Sequence, residues 1–291
     1  MKRLSASHVA IVGLGLMGGS LAGALRGRCR TVIGIARRTE TIEEALSRGL
    51  VDRGTTDLAS GIHQADVVVL ATPVRVILRL VDEIGPLLPE ECLLLDAGST
   101  KAQIVARMAA LPDHVQPLGG HPMCGKETSG IEVAEPTLYQ GHTFVLTPLP
   151  RTSDAALALG RGLVEAVGAR PLILDPNRHD RLVATVSHLP YLLSCALVGT
   201  AEETAARDPT VWDVAASGFR DTSRLAASDV TMMLDILLTN REAVLEALNA
   251  CDEQLRHLTC LLETCDEEGL RTVLSATRDR KLQTRNLKPD T

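Results

Sequence analysis

The spacing of apolar positions changes once along this chain, and the change divides it. Over residues 1–175, short apolar runs alternate with stretches of helical period; beyond that point the period is helical almost throughout. The runs at 8–12, 31–35, 65–71, 91–96, 142–147 and 170–174 are of the buried-strand type. Between them 21–26, 41–49, 101–108 and 154–168 carry helical spacing, and Thr72-Pro73-Val74 opens a further helix. Strands alternating with helices predict a largely parallel sheet. The fold class expected is therefore an α/β Rossmann-type domain over 1–175.

From Asp175-Pro176-Asn177, with Asp175 or Asn177 as cap, a helix is predicted over 179–203. Its stripe is Leu182, Val183, Val186, Leu189, Leu193, Ala196 and Leu197, and Pro190 inside it predicts a kink or local unwinding. His179 and His188 are nine residues apart, near half a turn out of phase, so a straight helix cannot bring them to one site. The segment 217–224 interrupts the pattern, and helices follow at 230–238, 241–262 and 267–280. These predict an all-α substrate and dimerisation domain over 176–291, with a flexible polar tail from about Arg278.

Composition narrows the function. Aromatic residues are 2% of the chain. The core is therefore built from Leu, Val, Ile and Ala, and no stacking platform for single-stranded nucleic acid is available. A net charge of −6 without a basic stripe argues against nucleic acid as a partner. Seven cysteines without a C-x-x-C pair fit neither a zinc site nor a disulfide framework, so no metal is expected, and reduced thiols point to the cytoplasm. The N-terminus lacks a signal-peptide apolar core, and runs such as 67–71 are too short to cross a bilayer, so no membrane partner is expected.

Candidate chemistry begins at Gly13-Leu14-Gly15-Leu16-Met17-Gly18, set between a predicted strand and a predicted helix. In that context Gly13 allows a tight turn, Gly15 admits a pyrophosphate and Gly18 lets helix and strand pack, with Leu16 and Met17 presenting helix-terminal amides. The second strand ends at Arg37-Arg38, where an NAD site usually carries an acid; paired guanidinium groups suit the 2′-phosphate of NADP, while Glu40 keeps NAD open. Thr72 and Ser99 follow strand ends and face the same crevice, Ser99 equally suited to cap the helix after it. The glycine-rich stretch 119–130 reads as a loop rather than a helix or central strand, holding one titratable side chain, His121, at the mouth of the sheet. Arg220 and Arg224, four apart, can clamp a carboxylate or pair with Asp221 and Asp229.

Taken together, the segments 12–20, 96–101, 119–125, His179-Asp180, 187–190 and 218–224 resemble the prephenate and arogenate dehydrogenases of tyrosine biosynthesis, in a short form without a fused domain. The resemblance implies oxidative decarboxylation of prephenate to 4-hydroxyphenylpyruvate, or of arogenate to tyrosine; the apolar stripes of the helical half, with too little partner surface of their own, predict a homodimer. By analogy His121 accepts the proton of the ring hydroxyl and Ser99 hydrogen-bonds that hydroxyl and the nicotinamide. Arg224 holds a substrate carboxylate, Arg220 is a second candidate, and His188 lines the pocket. Cys124 departs from the alanine more usual in that stretch. A β-hydroxyacid dehydrogenase shares the glycine motif but requires a catalytic lysine, and 179–270 contains none. A non-catalytic NADP-binding sensor needs only the first motif.

Overall fold

A computed structural model describes residues 1–126 and 128–285. The first part runs β1 (His8–Val12), α1 (Leu16–Leu25), β2 (Thr31–Ile35), α2 (Thr39–Ser47), β3 (Arg53–Thr55), α3 (Leu58–Ile62), β4 (Val67–Leu70) and α4 (Val74–Ile84). It continues through β5 (Leu93–Asp96), α5 (Ala102–Met108), β6 (Gln116–Pro122), β7 (Thr143–Pro148), α6 (Asp154–Ala166) and β8 (Arg170–Ile173). The eight strands form one sheet in the order β3-β2-β1-β4-β5-β6-β7-β8, parallel except between β6 and β7. Every residue of β4 and β5 is buried, because helices cover both faces. Val9, Ile11, Val67 and Val69 pack on one side, and Ala10, Val12, Val68 and Leu70 on the other. The short edge strand β3 and the single turn α3 escape a reading of apolar period, since β3 is only Arg53-Gly54-Thr55.

One expectation is overturned. Residues 119–122 of the glycine-rich stretch are not loop but the end of strand β6, which lies between β5 and β7. Its pairing with β5 stops at Leu118, whereas pairing with β7 continues to Pro122 opposite Phe144. Gly119-Gly120-His121-Pro122 therefore pairs on one side only, which is where a sheet tolerates proline. The glycines fit for a steric reason: a Cβ at 119 would collide with the Thr147 hydroxyl, and one at 120 with the Asp96 carbonyl. Glu127, in the remainder of the stretch, lies outside the described residues.

The helical part comprises α7 (Pro176–Val183), a π turn (Ala184–His188), α8 (Leu189–Ala205), α9 (Ser217–Ser223) with a 3₁₀ turn (Arg224–Ala227), α10 (Val230–Thr239), α11 (Arg241–Glu263) and α12 (Glu267–Arg285). The segment 217–224, expected as an interruption, is thus itself helical. Helix α12 runs through Arg278 to Arg285, so the expected flexible tail is helical at its start, and its remainder lies outside the described residues. Pro190 sits in the first turn of α8, where its missing N–H is tolerated, and the departure from α geometry falls just before it.

The described residues form two compact units, 1–241 and 242–285, and the sheet gives way to helices at Pro176 within the first of them. In the first unit, α10 is tied to the sheet's own helices: Arg75 N donates to Asp235 at 3.1 Å and Gln103 Nε2 to the Thr239 carbonyl at 3.0 Å. The second unit is a helical hairpin. Left-handed Cys265 ends its first helix, and Asp266 Oδ1 accepts from Gly269 N at 2.9 Å to begin the next. The described residues also hold one helical stretch, 176–205, long and apolar enough to cross a membrane by length and composition. Counting uninterrupted apolar runs missed it, because polar residues are spaced through it.

The glycine motif yields a paired test. A Cβ on Gly18 would enter the Gly13 carbonyl, so Gly18→Ala should lose about 1–3 kcal/mol of stability in urea unfolding. A Cβ on Gly15 meets nothing within 4 Å, so Gly15→Ala should unfold like the parent and bind dinucleotide more weakly in titration calorimetry.

Candidate active site

The site is assembled by buried polar groups on α7, α5 and the ends of β5 and β6. Asp175 caps α7, its Oδ1 accepting from Arg178 N at 2.9 Å, with Pro176 at the first helical position. The helix is short, and it carries His179 and Asp180 into the interior, where both are almost fully buried. Asp180 there serves as the N-terminal cap of a different helix: Oδ1 accepts from Lys101 N at 2.7 Å and Oδ2 from Ala102 N at 2.8 Å. The start of α5 is therefore capped from outside, and Ser99 is not its cap, contrary to one of the two readings of that residue.

Lys101 is wholly buried, with its ammonium paired to Asp96 and donating to the Gly120 carbonyl. Asp96 in turn accepts from Gly120 N at 3.0 Å and Gly98 N at 2.8 Å. One ion pair thus stitches the loop bearing Ser99 to the strand bearing His121. Burial pushes the Lys101 ammonium below its ordinary range, while the Asp96 charge and hydrogen bond, and then Asp180, push it back up.

His121 stands near the open end of β6, partly buried. Its Nδ1 lies 2.8 Å from His179 Nε2, with the rings edge to face and their centres 5.0 Å apart. His179 Nδ1 lies 2.8 Å from Asp180 Oδ1. His188 is buried nearby, its Nδ1 3.3 Å from Asn240 Nδ2, and Asn240 also donates to the Asp180 carbonyl at 2.8 Å. The phase argument that kept His179 and His188 apart holds only for a straight helix. The π turn between them holds an extra residue and rotates the helix beyond it, so both histidines join one buried group.

Desolvation holds His121 well below the ordinary imidazole range, reinforced by repulsion from His179, Lys101 and His188. It is a free base at neutral pH. Burial likewise lowers His188 to about 4; repulsion from His179 adds to this, and attraction to Asp180 opposes it.

The glycine turn fits a dinucleotide. Gly13 has φ +99°, and a Cβ there would lie 2.6 Å from Thr72 Cγ2 and 2.7 Å from the Ala71 carbonyl. Only glycine is at ease in that backbone conformation and that space. Open space beside Gly15 adjoins the free amides at the start of α1, Leu16, Met17 and Gly18. Thr72 Oγ1 is buried beside this turn without a hydrogen-bond partner, as expected of a group that completes its bonding on a ligand. Arg37 and Arg38 are exposed just after β2, and neither forms an ion pair among the described residues. Arg220 and Arg224 are exposed on helical segments that pack against α8. Asp96, Lys101, His179, Asp180 and Asn240 were not among the site residues expected from sequence. Only the acid–lysine spacing after β5 and the adjacent His-Asp pair hinted at them.

Residues 21–173 match the family model described as "Prephenate dehydrogenase, nucleotide-binding domain", and 175–276 the one described as "Prephenate dehydrogenase, dimerization domain". The chain is 31% identical to the prephenate dehydrogenase of Bacillus subtilis over 275 residues, 93% of this chain and 74% of that one. A prephenate dehydrogenase from A. aeolicus, solved with hydroxyphenyl propionate and NAD+, superposes with TM-score 0.90 at 33% identity over 97% of this chain and 100% of that one. The arogenate dehydrogenase of Synechocystis gives 0.84 at 32% identity, over 95% and 99%.

His188 contributes to the acid limb of stability. With a pKa of about 4 in the folded state against 6.5 in the unfolded chain, His188 contributes stability that is complete above about pH 6.5 and lost as pH falls towards 4. The loss is on the order of 2–3 kcal/mol. Urea unfolding at pH 7 and 4.5 should show His188→Gln losing less over that interval than the parent.

Proposed function

Because the chain belongs to the prephenate dehydrogenase family, we propose that it oxidatively decarboxylates prephenate to 4-hydroxyphenylpyruvate in tyrosine biosynthesis, with His121 as general base. The observation that carries this is His121 Nε2, which has no partner among the described residues while Nδ1 is engaged. A neutral imidazole with one open nitrogen, at the same end of the sheet as a dinucleotide turn, suits proton removal from a ring hydroxyl. A bound nicotinamide supplies the hydride acceptor for the carbon bearing that hydroxyl. His121 Nε2 takes the hydroxyl proton as that carbon gives up hydride, leaving a ring carbonyl; the bond from the ring to its carboxylate then breaks, its electron pair passing through the ring to the carbonyl oxygen, which regains the proton from His121 as carbon dioxide leaves. Ser99, which does not cap α5, is assigned the hydrogen bond to that hydroxyl. Arg224 and Arg220 hold the substrate's carboxylates, and His188 shapes the pocket. The family and the cofactor turn place the reaction among NAD(P)-dependent oxidations, and His121 gives the turn a purpose that a non-catalytic sensor lacks. The absence of lysine from 179–270 counts against a β-hydroxyacid dehydrogenase.

Likeness to an arogenate dehydrogenase supports a second reading, in which the amino acid arogenate replaces the keto acid. The two Arg side chains after β2 favour NADP, and the NAD+ bound in the A. aeolicus enzyme favours NAD. Exposed Leu182, Val186 and Leu193, on elements belonging to the family's dimerization domain, support a homodimer.

Cofactor reduction measured with prephenate or arogenate, each with NADP or NAD, should show turnover of prephenate with NADP ahead of NAD. Equal or better turnover with arogenate selects the second reading, and a tenfold preference for NAD overturns the role given to Arg37 and Arg38. His121→Asn should lower kcat on the order of a hundred-fold or more, with dinucleotide binding retained.

A further inference from the structure

Behind His121 runs a chain of hydrogen bonds that the proposed reaction leaves without a role: Asp180, then His179, then His121. We propose that His179, anchored on Asp180, is a positioning residue that fixes His121 in the tautomer with its proton on Nδ1 and its lone pair on Nε2, and that steadies the imidazolium formed when Nε2 takes the substrate's proton. This role rests on His121 being the general base.

The assignment follows from which groups can donate. Both oxygens of Asp180 already accept a backbone amide at the start of α5, and a carboxylate only accepts. His179 Nδ1 lies 2.8 Å from Asp180 Oδ1 and must therefore carry a proton. In a neutral imidazole the other nitrogen is then an acceptor. His179 Nε2 accordingly presents a lone pair to His121 Nδ1 at 2.8 Å. His121 Nδ1 must donate, and its remaining nitrogen, Nε2, is the unprotonated one. Each imidazole hands the next the opposite role, and the choice is made by a carboxylate two links away.

The same chain acts during the reaction. When Nε2 gains a proton, His121 becomes a cation whose Nδ1–H bond to His179 strengthens, with the negative Asp180 behind. Lys101 and His188 disfavour the cation, as His179 would if it were itself charged; neutral, with its proton on Nδ1, His179 only accepts at Nε2, and Asp96 is already engaged by Lys101. The hydrogen bond to His179 is thus the contact of His121 that stabilises its protonated form. Nothing in the sequence announces this: 58 residues separate the two histidines, one on a strand and one on a helix.

The direct test is ¹⁵N NMR of histidine-labelled protein at pH 7, with the His121 signals assigned by their loss in His121→Asn. Proton on Nδ1 and none on Nε2 is the expected result; a proton on Nε2 overturns the proposal. Kinetics supply the second test. His179→Leu removes the acceptor and should lower kcat about 30-fold with substrate KM changed less than threefold. His179→Gln, whose amide oxygen can accept from His121 Nδ1, should recover a substantial part. In the His121→Asn background, His179→Leu should cost almost nothing further, since the two act as a unit. A full-rate His179→Leu, or equal additive losses in both backgrounds, overturns the positioning role while leaving His121 as base. A full-rate His121→Asn instead overturns the base assignment itself. If His179→Leu does not fold, the tautomer measurement on the unsubstituted protein still decides.

Discussion

The first unit depends on where it keeps one carboxylate. Asp180 is almost wholly buried, and it is held there by three donors: the amides of Lys101 and Ala102 and the ring of His179. They serve two different tasks. The amides begin the helix that follows the Ser99 loop, and the imidazole leads to His121. A buried charge without such partners would cost several kcal/mol, so the position of α7 against α5 is fixed by electrostatic necessity as much as by apolar packing. Helix α7 cannot drift relative to the sheet without stranding that charge.

Asp96 and Lys101 repeat the arrangement nearby, with the signs completed inside the pair. Removing either partner alone would leave an uncompensated charge in the interior. The two ionic groups bracket the active-site loop from opposite sides. The rigidity a general base needs therefore comes from polar contacts, in a protein with so few aromatic side chains that large rings do little of the bracing.

Sequence patterning read most of the parallel sheet correctly, because strands buried on both faces leave continuous apolar runs such as 67–70. It read the glycine motif for the same reason that motif works: the steric demands on Gly13 and Gly18 are local. It failed where the determining contact is distant. Gly119-Gly120 looked like loop, since nothing nearby reveals that Thr147 and the Asp96 carbonyl press on those positions. His179 and His188 looked incompatible, since helical phase was counted without the π turn. Asp180 gave no sign of its burial, because the helix it caps is not its own.

That π turn has a consequence for how the chain can change over time. Surface loops accept added or missing residues at small cost, because their ends need only meet. The segment 184–188 has no such freedom. One residue fewer would restore regular α geometry and swing all of α8 about its axis, taking His188 away from Asn240. One more would overrotate it in the other sense. The spacing between the His-Asp pair and Pro190 therefore works as a counted interval, and relatives that keep this site should keep that count even where the residues filling it differ.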